Sequence, residues 1–153
     1  MQNTEQKLNC ILLIDDDLAT NFINKRIIQK ADISEHIQVV LNGKEAIDYL
    51  CKKGKFESDT NEYPQPQLIL LDINMPVMDG WEFIETYQSS NIENKENITI
   101  VMLSSSFNPA DKAKAESIEQ ISDFKQKPMS REALLEIIAT YFPELVKEKV
   151  VVH

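Results

Sequence analysis

Short uninterrupted apolar runs alternate along this chain with longer segments in which apolar side chains recur every three or four positions. The runs read as strands buried on both faces, and the periodic segments as helices with one inward stripe. Cys10 to Ile14 is such a run and stops in Asp15, Asp16 and Asp17. The next segment sets Leu18, Phe22, Ile23, Ile27 and Ile28 along one predicted helical stripe, with Asp17 as N-cap. Ile37 to Leu41 predicts a second strand. Asn42 and Gly43 break it, and Ala46, Ile47 and Leu50 mark the inner face of a second helix. From Lys52 to Gln67 the chain turns polar around Gly54, Pro64 and Pro66, which predicts a helix end and then a long, mobile surface loop.

Leu68 to Leu71 is the third strand, bounded by Pro66 and Pro76, and Asp72 stands at its end. Asp79 or Gly80 opens a helix with Phe83, Ile84 and Tyr87 inward and Trp81 near its first turn. A fourth strand, Ile98 to Leu103, stops in Ser104, Ser105 and Ser106. Asn108 and Pro109 then read as N-cap and first helical residue. That helix has only Ala110, Ala113, Ala115 and Ile118 to bury, so it is expected to be weakly anchored. Ser122 to Lys125 forms a short fifth strand before Lys127 and Pro128. Ser130 caps a last helix with Leu134, Leu135, Ile137, Ile138, Tyr141 and Phe142 inward, and Pro143 ends it. Five such alternations predict an α/β fold with a doubly wound five-stranded parallel sheet and right-handed crossovers.

Length and charge narrow the classes. At 153 residues the chain fits one domain, expected over 9–142, with tails at 1–8 and 143–153. Sixteen basic against 25 acidic side chains leave a net charge of -9, which argues against a nucleic-acid surface. No apolar run reaches membrane-spanning length and the N-terminus lacks the order of a secretory signal, so a cytoplasmic protein that makes no membrane contact is expected. Cys10 and Cys51 read as buried free thiols, and His36 and His153 as solvated side chains.

The polar residues that end the strands carry the candidate chemistry. In a doubly wound sheet the ends of strands one, three, four and five share one rim, which brings together Asp15, Asp16, Asp72, Ser104 and Lys127. Three carboxylates in close quarters repel one another. They need a hard divalent cation or the lysine ammonium, and an all-oxygen set suits Mg2+ better than zinc.

The motifs ILLIDDD, LLDINMPVMDG and VMLSSS, with the Lys127-Pro128 step, resemble the receiver domain of two-component response regulators over Asn9 to Phe142. The resemblance implies a flavodoxin-like (βα)5 fold with strand order 2-1-3-4-5. It implies that Asp72 is the phosphoacceptor, attacking the phosphorus of a phosphohistidine to give an acyl phosphate. Asp16 is then a direct Mg2+ ligand, Asp15 acts largely through a bound water, and the backbone carbonyl of Asn74 completes the protein ligands. By the same resemblance Lys127 pairs with Asp72 or the phosphoryl oxygens, Ser104 donates to the arriving phosphoryl group, and the Lys127-Pro128 peptide is cis. Ser104 and Phe124 form the switch, and the surface near Pro109, the Phe124 strand and the last helix faces partners. The implied partners are a sensor histidine kinase or a histidine phosphotransfer protein, then a downstream protein target or relay, and a homodimer is one form the output can take. Catalysis is limited to the domain's own phosphorylation and dephosphorylation. The long 52–67 loop resembles stand-alone regulators that act with phytochrome-like or hybrid kinases, and no output module is expected after Phe142.

Three rivals are weighed against that reading. Asp15 and Asp17 form a DxD, as in phosphohydrolases of the haloacid dehalogenase type, but the lack of a recognisable cap domain or inserted substrate pocket in these 153 residues counts against that reading. A pseudo-receiver acting without phosphorylation would not need the complete acid, serine and lysine set. A flavodoxin-like cofactor carrier wants a phosphate-cradling loop where three consecutive acids stand.

Overall fold

The computed structural model describes residues 6–58, 60, 62–106 and 108–145. Its elements alternate as β1 (Leu8–Ile14), α1 (Leu18–Ala31), β2 (Ser34–Val40), α2 (Gly43–Cys51), β3 (Leu68–Asp72), α3 (Gly80–Ser89), β4 (Thr99–Ser104), α4 (Pro109–Glu116), β5 (Ile121–Gln126) and α5 (Arg131–Tyr141). Single 3-10 turns at Gly54–Phe56 and Lys95–Asn97 interrupt two of the loops. The strands form one parallel sheet, as the alternating pattern predicts, in the order β2-β1-β3-β4-β5 that the resemblance implies. All five residues of β3 are buried, so the central strand has apolar cover on both faces.

One core layer joins Leu12, Ile14, Leu71, Ala46, Phe83 and Tyr87 under α2 and α3. The other joins Ile11, Leu13, Leu70, Ile28, Leu134 and Ile138 under α1 and α5. Burying each of these Leu and Ile side chains contributes about 1.5–3 kcal/mol, so the two layers clamp the sheet. α4 is the thin element that its composition predicts, with Ala115 its one buried residue. None of the described helices is long and apolar enough to cross a membrane.

One expectation is corrected in part. Ile28 is buried and Ile27 packs against the core as the stripe predicts, but α1 also turns Asn21 and Asn24 inward and leaves Leu18, Phe22 and Ile23 70 %, 63 % and 51 % exposed. Asp17 caps the helix as expected, accepting from the Ala19 N–H at 3.1 Å. The buried Asn21 amide then donates to the Asp15 carbonyl at 2.8 Å, giving the end of β1 a partner that an apolar side chain could not supply. Phe22→Ser is therefore expected to stay within about 0.5 kcal/mol of wild type. Urea unfolding checks this, since a buried Phe truncated so far would lose about 3–5 kcal/mol.

The loop between α2 and β3 runs over the surface as expected, with Lys52, Lys53, Lys55 and Glu57 exposed, but its described part is anchored: Phe56 is buried, and its ring meets those of Tyr49 and Tyr63 edge-on at 5.0 and 5.2 Å. The Tyr49 hydroxyl donates to the Pro64 carbonyl at 2.7 Å. Cys10, beneath this cluster, is a free thiol that burial pushes up to about 11, and Cys51 is free and half-buried.

Candidate functional site

Parallel strands that end together bring their last residues to one rim. Asp15 follows β1 directly, Asp72 is the last residue of β3 and Ser104 the last of β4. Asp15 and Asp72 are buried, whereas Asp16, one residue on, faces solvent. One carboxylate oxygen from each of the three acids lies within 4.8 Å of the others. Lys127, one residue beyond β5, reaches across the rim and donates to Asp15 Oδ2 at 2.6 Å and to Asp72 Oδ1 at 2.8 Å. Its own N–H donates to the Ser104 carbonyl at 2.7 Å, and the Lys127-Pro128 peptide is cis.

Burial holds the Asp72 carboxyl above its usual range; the Lys127 hydrogen bond pulls it down and the Asp15 charge pushes it up again. Burial would lower the Lys127 ammonium, but its hydrogen bonds to Asp15 and Asp72 outweigh that and leave it raised. One ammonium thus faces two buried acids with a third at the entrance. The local excess of negative charge and the all-oxygen donor set fit a hard divalent cation.

Ser104 is buried, and its hydroxyl is engaged in the loop before α4, donating to the Ser106 carbonyl at 2.9 Å and accepting from the Ser106 N–H at 3.2 Å. Asn74 lies exposed on the loop between β3 and α3, which Asp79 and Glu82 close with a capping box. Phe124 is half-buried on β5, paired in register with Met102 of β4, beside a cavity of about 210 Å³ that Lys112, Ala115 and Glu116 of α4 also line. Asp17, the second acid of the DxD, spends its carboxylate on the α1 cap and the Thr20 hydroxyl. Reading the sequence did not single out Asn21 as a support of Asp15, because an asparagine two turns from a strand end carries no local signal of that contact.

The family model of the response regulator receiver domain matches residues 11–139. The chain belongs to that family. Two-component response regulator 24 of Arabidopsis thaliana is 30 % identical over 135 residues, covering 88 % of this chain and 84 % of that protein. Among solved structures, a two-component response regulator from Cytophaga hutchinsonii is 33 % identical with a TM-score of 0.77, covering 90 % of this chain and 99 % of the other. The phosphorylated cyanobacterial phytochrome response regulator RcpA is 26 % identical with a TM-score of 0.65, covering 92 % and 95 %. As a receiver domain the chain is a phosphoacceptor signalling module, and its role requires a phosphodonor such as a histidine kinase. The receiver fold explains why Asp15, Asp16, Asp72, Ser104 and Lys127, spread over the whole sequence, lie at one rim. The phosphohydrolase rival is not favoured.

Proposed function

We propose that Asp72 is the phosphoacceptor of this receiver domain and takes the phosphoryl group of a phosphohistidine in a Mg2+-dependent transfer. The observation that carries this reading is the Lys127 bridge between Asp15 and Asp72 beside the exposed Asp16. A carboxylate oxygen of Asp72 attacks phosphorus while the phosphorus–nitrogen bond breaks, its electron pair leaving on the imidazole. The product is an acyl phosphate. Asp16, Asp72 and the Asn74 backbone carbonyl would hold Mg2+, with Asp15 acting largely through a bound water, and the ion would supply positive charge against the phosphoryl oxygens. Lys127 turns from Asp72 to a phosphoryl oxygen, and Ser104 leaves Ser106 to donate to another.

The donor is a sensor histidine kinase or a histidine phosphotransfer protein. Leu18, Phe22 and Ile23 of α1 and the 78 % exposed Val77 of the loop between β3 and α3 supply an apolar rim for it. Output passes through Ser104 and Phe124 to the surface of α4, β5 and α5, which meets a downstream protein or relay. Phe124 has no hydroxyl, so burial alone holds its inward state.

Incubation with Mg2+ and acetyl phosphate, followed by intact mass and by NMR, tests the assignment. Wild type gains one phosphoryl group and Asp72→Asn gains none at that position. Chelating the metal abolishes the gain. Labelling of Asp15 in place of Asp72 would overturn the assignment.

A further inference from the structure

The loop that carries Asn74 is held in a conformation its own sequence does not favour. Val77, a β-branched residue, sits at φ 67°, spanned by a hydrogen bond from the Met78 N–H to the Pro76 carbonyl at 2.6 Å. A three-residue turn with positive φ at its centre is rare, and rarer still around a branched side chain. Such strain persists only where the surroundings over-determine it. From within the same segment the Gly80 N–H donates to the Ile73 carbonyl at 2.7 Å. From outside it, the N–H of Gly43, first residue of α2, donates to the Met78 carbonyl at 3.0 Å.

The approach of Gly43 leaves no room for a side chain. A methyl group on its Cα would stand 2.8 Å from Met78 Cγ, 2.9 Å from the Met78 carbonyl oxygen and 3.0 Å from Met78 Sδ. Its φ lies outside the left-handed region, so close approach, and not backbone freedom, is what requires glycine here. The side chain of Met78 itself packs against the core layer under α2 and α3.

We propose that Gly43 is a positioning residue for the metal site: α2 grips the Met78 carbonyl through it and so keeps the strained turn, and with it the Asn74 carbonyl, where the cation needs it. The proposal rests on the reading of Asn74 as a ligand. It adds a support, from a helix with no acid at the rim, that neither the motifs nor the acids themselves reveal. The effect is large because Mg2+ demands near-ideal octahedral geometry at about 2.1 Å and tolerates a displaced ligand poorly. Supports of this kind typically carry about 10- to 100-fold in metal affinity.

Isothermal titration of Mg2+ into wild type, Gly43→Ala and Gly54→Ala tests it. Gly54 has φ 59° in the loop after α2, and a methyl group there meets nothing closer than Asp48 Oδ2 at 3.7 Å. Gly54→Ala therefore adds backbone strain away from the acids and lowers the melting temperature, with Mg2+ affinity expected within about twofold of wild type. Gly43→Ala is expected to bind Mg2+ about tenfold more weakly. Each variant is also titrated in trimethylamine N-oxide, which favours the folded state without touching the turn, so that Gly43→Ala can be measured there if it does not fold in buffer alone. Equal Mg2+ affinity of the two alanine variants, in whichever solution both fold, overturns the proposal. Wild type that binds no Mg2+ overturns the metal reading beneath it, and the clamp falls with that reading.

Discussion

Lys127→Met is expected to lose about 3 kcal/mol of stability at pH 7, the low end for removing one partner of a buried ion pair, because the site opens to water beside Asp16. Two buried carboxylates, held at 2.6 and 2.8 Å from one ammonium in the wild type, are left facing each other. The variant's deficit depends on pH with a definite sign. Asp72 is already raised above 3.8 by burial, and loss of the Lys127 hydrogen bond raises it further. An acid raised in the folded state stabilises the fold when protonated, a contribution present below 3.8 and lost as pH rises through the folded value. The variant therefore gains on wild type as the solution is acidified. At the other end, Lys127 is raised above 10.5, so its contribution is present below 10.5 and lost as pH rises through its folded value. The two proteins converge there. Urea unfolding across pH, repeated with Mg2+ at neutral pH, reads all of this, and the added cation narrows the gap by replacing the missing charge. Equal midpoints at pH 7 would mean that Lys127 does not neutralise the pair.

Gly80→Ala is expected to cost a similar amount, about 3 kcal/mol, the upper end for forcing a methyl group into packed structure. The added carbon would lie 2.6 Å from the Asp72 carbonyl oxygen and 3.0 Å from the Ile73 Cα. Both neighbours are backbone, tied down where Gly80 N–H donates to the Ile73 carbonyl, so no rotamer change relieves the contact. The strain falls on the end of β3, and phosphorylation of Asp72 by acetyl phosphate slows together with the loss of stability. Urea unfolding and the rate of mass gain measure the two effects. A Gly80→Ala protein with wild-type stability would show that the loop gives way there at little cost.

Both predictions concern the end of β3, one through Lys127 from across the sheet and the other through Gly80 of the loop that follows it. The rim acids and Lys127 were legible because a buried strand is a local apolar run and its end is a local event; once the five runs are taken as one parallel sheet, their last residues must meet. The chain order and polarity of the strands, the caps at Asp17, Asn108 and Ser130, and the thin face of α4 follow from local pattern in the same way.

The first half of α1 is different, because apolar spacing joins Leu18, Phe22 and Ile23 to Ile27 and Ile28 in one stripe, whereas the buried side chains beside Ile28 are Asn21 and Asn24. The hydrogen bond between Asn21 and the Asp15 carbonyl, with Ile28 in the core cluster of Leu134 and Ile138, selects that face. The 52–67 loop reads as mobile because it is polar around Gly54, Pro64 and Pro66, and only contact with Tyr49 tells that Phe56 and Tyr63 within it pack. By itself, then, the sequence determined the elements, their order and the acids at the strand ends. Only the tertiary structure decided which way α1 faces, how the Asn74 loop is gripped by Gly43, and where the Ser104 hydroxyl points, since each depends on partners that no local pattern encodes.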